Sequence, residues 1–359
     1  MTKKVLLGMS GGVDSSVAAL ILHRMGYDVT GVTLNLRTPE LMGEDLPQSR
    51  CSPSDIADAQ AVASFLGIPH LVLDFTRRFE SAVVGRFAEE YLSGRTPNPC
   101  IFCNRELKFG AMLAYAEEHG FDFISTGHYA EIRKNAAGRW TLRRSPNGKD
   151  QSYVLYFLSQ YQLAHTLMPL SLYDKAEVRR LAREAALPVA EKPDSQDICF
   201  IKGRDYAAFL EAYTGKPFSP GDFVDAEGAV LGRHKGIPHY TIGQRRGIGL
   251  SFPEPRYVIG IDAAENRVIL GKEGSQYASA LLAGDLNFIP FEQPNGPFPA
   301  EAKIRYQASP APAMITPLGD GQARVDFSVP QRSVTPGQAV VFYDGDELIG
   351  GGTIREALS

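Results

Sequence analysis

A glycine-rich string, Gly8-Met9-Ser10-Gly11-Gly12-Val13-Asp14-Ser15-Ser16, stands between a short apolar run and a helical pattern. No other stretch restricts the chain as strongly. Residues 5–9 read as a strand, and after the string Val13, Val17, Leu20 and Ile21 recur at helical spacing. Glycines let a backbone turn tightly and come close to a ligand. The amides that follow then face outward at a helix N-terminus, where the dipole and unpaired N–H groups favour an anion. Ser15 and Ser16 offer hydroxyl donors as well. Asp14 is a carboxylate beside a phosphate seat, an arrangement that suits a bridging Mg²⁺. A bare Gly-Gly would more often be a plain turn with the aspartate as helix cap. The full string at a strand end points to a nucleotide instead. It is not a Walker A loop, since no Gly-Lys-Ser/Thr follows, and it is not Gly-x-Gly-x-x-Gly.

Strand and helix signals alternate through the first 130 residues. Strands are expected at 5–9, 29–36, 70–75 and 121–126. Ile56, Ala59, Val62 and Leu66 mark one helix, stopped by Gly67 and Pro69, and residues 106–118 mark another. This alternation predicts an α/β fold with a doubly wound parallel sheet. Ligands of such sheets sit beyond the carboxyl ends of the strands. Ser10 to Gly12, Leu34 and Thr126 to His128 fall at those ends. Residues 129–133 and 139–143 flank a turn, Asn135-Ala136-Ala137-Gly138, and read as a hairpin added to the sheet. Beyond residue 205 Gly, Pro and short alternating runs take over, at 257–261, 267–270, 302–307, 323–328, 338–343 and 347–354. They predict two small β-rich domains, the last a β-barrel. The expected domains are 1–205, 206–272 and 273–359, a division that suits a chain of 359 residues.

The formal charge of −4 does not advertise nucleic acid, but binding needs only a local stripe. Basic residues do cluster, at Arg133, Lys134, Arg139, Arg143, Arg144 and Lys149, then at Arg179, Arg180 and Arg183, and again at Arg233, Lys235, Arg245 and Arg246. No run approaches 18 apolar residues, so no membrane span is expected. The short apolar stretch after Lys3-Lys4 does not read as a secretory leader. Four cysteines, Cys51, Cys100, Cys103 and Cys199, do not make a secreted disulfide framework, and a cytoplasmic protein is expected.

Spacing sets three of those thiols apart. Thr96-Pro97-Asn98-Pro99-Cys100-Ile101-Phe102-Cys103-Asn104 places a cysteine just before a helix, where the dipole favours the thiolate. Asp194-Ser195-Gln196-Asp197-Ile198-Cys199-Phe200 sets another in a polar, turn-like context. Taken singly, each could be a small buried hydrophobe.

The glycine string resembles the PP-loop of the N-type ATP pyrophosphatases, which cleave ATP to AMP and pyrophosphate and adenylate a carbonyl oxygen. Pro99-Cys100-x-x-Cys103-Asn104, Gly127-His128-Tyr129, Lys149-Asp150-Gln151-Ser152-Tyr153, Ser195 to Phe200, Tyr240 to Gly247, Pro336-Gly337-Gln338 and Gly350-Gly351-Gly352 resemble the tRNA-specific 2-thiouridylases of the MnmA type. The likeness runs in order along essentially the whole chain. It implies ATP on Gly8, Met9, Ser10, Gly11, Gly12, Val13, Asp14 and Ser15, with adenine near the backbone of Leu34 and Gly127, and Mg²⁺ on Asp14. It implies Cys199 as a persulfide loaded by a sulfur-relay protein or cysteine desulfurase, and Cys103 as the second thiol. The wobble uridine would be flipped out so that its C2 carbonyl attacks the α-phosphorus.

The same resemblance implies contacts to the anticodon arm of tRNA from His128, Lys149, Asp150, Gln151, Arg305, Tyr306 and Gln338. As residues alone, His128 equally suits a satisfied sheet-end histidine and Asp150 a helix cap. Cys100 departs from the family, which commonly has an aspartate there. Together with Cys103 and Cys199 it resembles the three-cysteine sets that hold a [4Fe–4S] cluster in other PP-loop tRNA thiolases. A PP-loop amidoligase or a non-enzymatic tRNA-binding module are the competing classes. The first would need an ammonia source, and the second leaves Asp14 and the cysteine pair without a use.

Overall fold

Val5, Leu6 and Leu7 are fully buried in a parallel sheet, as a continuous apolar run covered on both faces should be. A computed structural model describes residues 2–36, 53–194, 198–201 and 205–358. Cys51 and the Ser195-Gln196-Asp197 part of one motif lie outside the described residues. The chain forms two compact units, one of residues 1–83, 100–202 and 346–349, the other of residues 84–99, 203–345 and 350–359.

In the first unit the strands are β1 (Lys4–Gly8), β2 (Asp28–Asn35), β3 (His70–Asp74), β4 (Phe123–Ser125), β5 (Ala130–Lys134), β6 (Trp140–Arg144) and β7 (Thr166–Leu167). Five of them form a sheet in the order β3-β2-β1-β4-β7, parallel at every pairing. The order reverses between β1 and β4, so a crevice opens beyond Gly8 and Ser125, and the glycine string fills its floor. Helices α1 (Val13–Arg24) and α2 (Pro53–Leu66) supply Val17, Ala18, Leu22, Ala59 and Val62 to one core with β1. Two longer helical runs follow, α3 over residues 76–92 and α4 over residues 99–118. Each is wound as a π-helix in its middle, over Glu80–Gly85 and Asn104–Ala111. The short α5 (Gln160–Ala164) and the longer α6 (Lys175–Glu184) both open on capping boxes, Ser159 with Gln162 and Asp174 with Glu177.

Two expectations are corrected here. The β5–β6 hairpin is not part of the parallel sheet; the free edge of β6 instead pairs Arg143 and Leu142 with Glu347 and Leu348. The cysteine motif is not ahead of its helix either. Pro99 stands in its first turn, which is where a missing N–H does no harm, so Cys100 and Cys103 lie inside α4.

The second unit holds α7 (Tyr206–Thr214), then β8 (Gly221–Val224), β9 (Val230–His234), β10 (Arg256–Asp262) and β11 (Arg267–Lys272), sheeted in the order β10-β11-β8-β9. Phe223, Tyr240, Val258, Val268 and Leu270 fill its small core. Then come β12 (Tyr277–Phe288), β13 (Phe298–Lys303), β14 (Ala311–Gly319), β15 (Gln322–Arg332), β16 (Ala339–Asp344) and β17 (Glu347–Leu358). They run β12-β15-β14-β13-β16-β17, and β17 pairs back onto β12. The six strands therefore close a barrel with no free edge. The strand expected at 302–307 ends at Lys303, which leaves Arg305 and Tyr306 in the following turn.

Leu281, Ile315, Val325 and Val341 are fully buried in this barrel. Ile315→Ala should cost about 2–5 kcal/mol. Urea denaturation followed by circular dichroism should show the corresponding fall in midpoint, and an unchanged midpoint would contradict the packing described.

Candidate active site

The backbone of the glycine string is held from both sides. Met9 donates its N–H to the Val32 carbonyl at 2.8 Å, and Thr33 Oγ1 donates to the Met9 carbonyl at 2.8 Å. Gly11 has a φ of +68°, and a Cβ there would lie 2.3 Å from the Asp55 carbonyl oxygen at the start of α2. Only glycine satisfies both demands. Gly127 meets the string from the β4 side: a Cβ on it would stand 2.9 Å from the Ser15 nitrogen and 3.0 Å from the Asp14 carbonyl carbon. Leu34 is buried near the end of β2, so its side chain belongs to the core and only its backbone is suited to an adenine.

Helix α1 starts at Val13 with Gly12 as N-cap and no side chain capping it. Its first amides are therefore left for an anion. The serine hydroxyls are not left for it: Ser15 Oγ and Ser16 Oγ both donate to the Gly12 carbonyl, at 3.1 and 2.9 Å. They fix the turn, which corrects the expectation that they are free donors.

Around Asp14 the chain gathers two cations and a hydroxyl from three other places. Lys149 Nζ lies 3.0 Å from Oδ2 and Lys175 Nζ 2.6 Å from Oδ1, and the Tyr129 hydroxyl donates to Oδ1 at 2.6 Å. A second carboxylate, Asp194, bridges the same lysines and adds Arg179. Its distances are 3.3 Å to Lys149, 2.7 Å to Lys175 and 3.0 Å to Arg179. Lys149 also stands 4.7 Å from the centroid of the buried Tyr129 ring. Three cations against two carboxylates leave a net charge of +1 at the mouth of an anion-ready helix.

Burial by itself would raise the Asp14 carboxyl, but the hydrogen bonds from Lys175 and Tyr129 and the charges of both lysines outweigh it and hold it below its ordinary value. Asp194 follows the same balance, burial against Lys175 and Lys149, and is also held low. Tyr129 is pushed far up by burial and by its bond to Asp14, so it remains a donor.

Lys149, expected as a tRNA contact, thus pairs with Asp14 on the glycine string. Lys175 carries no expectation from the sequence, and Tyr129, Arg179 and Asp194 appear there only inside motifs and a basic cluster. The capping box Asp174-x-x-Glu177 was the available signal: it starts a helix at Lys175 and sets Lys175 and Arg179 four apart on one face.

The remaining expected residues have definite local partners. His128 is buried, with Nδ1 2.8 Å from Thr126 Oγ1 and its ring against Phe109, which matches the sheet-end alternative. Asp150 accepts from the Ser152 amide and hydroxyl, both at 2.9 Å, and so caps the next turn. Gln151 Oε1 accepts from the Tyr129 amide at 3.1 Å and braces the tyrosine that holds Asp14. In the second unit Gln338 Nε2 donates to the Thr96 carbonyl at 2.8 Å, Arg305 donates to the Arg332 carbonyl at 2.7 Å, and Lys303 lies over the exposed ring of Tyr306.

Cys100 is exposed, while Cys103 and Cys199 are half-buried. Phe200 packs edge-on against Phe79 and fixes the chain beside Cys199. Among the described residues no three His, Cys, Asp or Glu side chains are placed to hold a metal ion. As placed here, Cys100, Cys103 and Cys199 are not gathered into one such group. For a hard cation the donors do fit: a low-pKa carboxylate at the phosphate seat, Asp14, would hold Mg²⁺ together with phosphate oxygens. Among the described residues no helix is long and apolar enough to cross a membrane.

Comparison with known proteins covers the chain in three consecutive stretches. Residues 3–203 match the family described as tRNA methyl transferase HUP domain, 207–272 its PRC-barrel domain, and 278–354 an aminomethyltransferase beta-barrel domain. A tRNA-specific 2-thiouridylase MnmA of Desulforamulus reducens is 49% identical over 360 residues, 99% of this chain and 98% of that protein. That of Acetivibrio thermocellus is 51% identical over 357 residues, 98% and 99% of the two chains. That of Clostridioides difficile is 46% identical over 360 residues, 100% and 99%.

Since both carboxyls are held below 3.8, their ion pairs persist above that value and are lost as pH falls through the lowered one. The wild type should unfold at a higher temperature than the Asp14→Asn/Asp194→Asn double variant by a margin constant from about pH 7 to 5 and shrinking below about pH 4. Calorimetric scans across that range check it; a margin that grows on acidification would contradict the assignment.

Proposed function

The chain belongs to the tRNA-specific 2-thiouridylase family, and we propose on that premise that it uses ATP to replace O2 of a tRNA wobble uridine with sulfur. The observation that carries this reading is the cation-lined glycine loop: the α1 amides, Lys149, Lys175 and Arg179 converge on one seat. That seat matches a triphosphate. Methyl transfer, named in the family description, has no need of it, and the amidoligase and non-enzymatic alternatives have no observation in their favour.

In this reading the triphosphate lies along Gly8 to Ser15, and the α1 amides hold an oxyanion that gains charge as pyrophosphate departs. Lys149 and Lys175, both beside Asp14, neutralise the same charge. Mg²⁺, when bound with ATP, supplies further neutralisation from Asp14. The uridine O2 attacks the α-phosphorus, the bond to pyrophosphate breaks, and C2 carries an adenylate leaving group. The persulfide sulfur of Cys199 then attacks C2 and AMP leaves with the original oxygen. Cys103 thiolate attacks Cys199 Sγ, which breaks the sulfur–sulfur bond, frees 2-thiouridine and leaves a Cys103–Cys199 disulfide. A thiol reductant restores the pair, and a sulfur-relay protein or cysteine desulfurase reloads Cys199. Cys103 can alternatively release the sulfur first, as sulfide, with the same disulfide as by-product.

The three pieces 1–205, 206–272 and 273–359 divide this work. The first carries both activation and sulfur chemistry, and the β-rich pieces grip the anticodon arm. Exposed Tyr306 with Lys303 offers stacking and charge to RNA, and Arg305 and Gln338 stand on the same unit. His128, Asp150 and Gln151 act on the tRNA through the segment they brace.

Cys199→Ser should release pyrophosphate when given tRNA and ATP yet form no 2-thiouridine, because activation precedes sulfur attack. Cys100→Ser should keep most activity in air with a sulfur donor. Nucleoside mass spectrometry and a pyrophosphate assay read both; wild-type thiolation by Cys199→Ser, or strict dependence of activity on a reconstituted cluster, would defeat the persulfide route.

A further inference from the structure

Helix α4 descends beside β1. Just past its end, Asp122 donates its N–H to the Lys4 carbonyl at 2.9 Å, at the amino end of that strand. Met112 is level with the carboxyl end, its Sδ 3.5 Å from where a Cβ on Gly8 would stand. Residues before Met112 therefore rise past Gly8 into the crevice above the glycine string. Lys108 is one turn up, about 5 Å, and Cys103 follows after about one turn more.

The winding decides where Lys108 faces. In an α-helix, residues five apart point about 140° away from each other. Asn104–Ala111 is wound as a π-helix, whose i→i+5 bonds bring the fifth residue back after little more than a turn. Gly110 permits this, since a Cβ there would lie 2.8 Å from the Arg105 carbonyl oxygen. Lys108 thus turns toward the side that carries Cys103. Its Nζ donates to Asn104 Oδ1 at 2.8 Å, and Asn104 is fixed in turn by donating Nδ2 to the Val154 carbonyl at 3.2 Å. Arg105 is directed elsewhere, over the rings of Phe157 and Tyr156. Lys149 and Lys175 each meet both Asp14 and Asp194, whereas among the described residues no carboxylate pairs with the half-buried Lys108. A partly desolvated ammonium with donors to spare and no counter-charge is a seat for an anion.

We propose that Lys108 is a further catalytic residue, which binds a non-bridging oxygen of the α-phosphate while the uridine is adenylated. The proposal rests on the ATP reading given above. In that step uridine O2 forms a bond to the α-phosphorus, the bond to the pyrophosphate oxygen breaks, and its electron pair leaves with pyrophosphate. The phosphate that stays on O2 belongs between the loop that held ATP and the thiol that completes sulfur transfer. Lys108 is the cation at that level, between Gly8 and Cys103 along α4. Asn104 is its positioning residue: it holds the ammonium at the crevice without cancelling its charge.

The test measures pyrophosphate release by the full-length chain with tRNA lacking the 2-thio group. ATP is compared with the two diastereomers of adenosine 5′-O-(1-thiotriphosphate), which carry sulfur on one or the other α-oxygen. Lys108→Met should lower kcat about 100-fold, the loss expected for one donor to a developing oxyanion, and leave the KM for ATP within about threefold. Lys108→Arg should recover part of kcat, which separates lost charge from lost folding. In wild type, sulfur on the oxygen that meets Lys108 should slow release about tenfold, and Lys108→Met should erase that penalty alone. A penalty that survives in Lys108→Met makes the lysine a mere brace for Asn104 and overturns the proposal. Normal pyrophosphate release with only 2-thiouridine formation lost would put the charge on the Cys103 thiolate instead, and overturns it too. Both of those results leave the ATP reading standing; failure of wild type to release pyrophosphate overturns both.

Discussion

Two carboxylates sharing two ammonium groups hold the catalytic unit's reactive end together. Asp14 comes from the start of α1, Lys149 from the loop after β6, Lys175 from the start of α6, and Asp194 from the chain that leads to Cys199. Four stretches far apart in sequence meet at distances of 2.6–3.3 Å. None of these groups is deeply buried, so the cluster contributes less to global stability than to placing charge. It presents cations beyond the carboxyl ends of β1 and β4, where a doubly wound sheet accepts its ligand.

The backbone beneath the cluster is fixed by sterics. Gly11 clears the Asp55 carbonyl and Gly127 clears the Ser15 amide, so the loop can lie flat between β4 and α2. Tyr129 then joins the two levels, its ring buried in the core and its hydroxyl on Asp14. Gln151, two residues beyond Lys149, braces that tyrosine through its amide. The Lys149-Asp150-Gln151 string therefore orders the surroundings of Asp14 through each of its members. One binds the carboxylate, one caps the following turn, and one supports the tyrosine.

Much of this was legible in the sequence because it is local. The strand ends, the glycine loop and the closed β-barrel follow from periodicity and from residues close together in the chain. What escaped depends on contacts across long separations. Lys175 looks like an ordinary first-turn lysine until α6 packs beside α1 through Val178 and Ala182. For His128 the sequence leaves a tRNA contact and a satisfied sheet-end histidine both open, and only the fold shows Thr126 and Phe109 against it. The β5–β6 hairpin reads as an extension of the nearest sheet, and its edge is in fact satisfied by Glu347 and Leu348, some two hundred positions away. The π-wound stretch after Cys103 has no periodic signature that distinguishes it from an ordinary helix.

The central claim is that the uridine oxygen itself becomes the link to AMP. Transfer RNA carrying ¹⁸O at C2 of the wobble uridine, incubated with the protein, ATP and a persulfide donor, tests it by mass spectrometry of the products. One ¹⁸O in AMP for each 2-thiouridine formed, with none in pyrophosphate, is the predicted result. Label that appears in pyrophosphate or in water, with unlabelled AMP, would contradict activation through the α-phosphorus at this site.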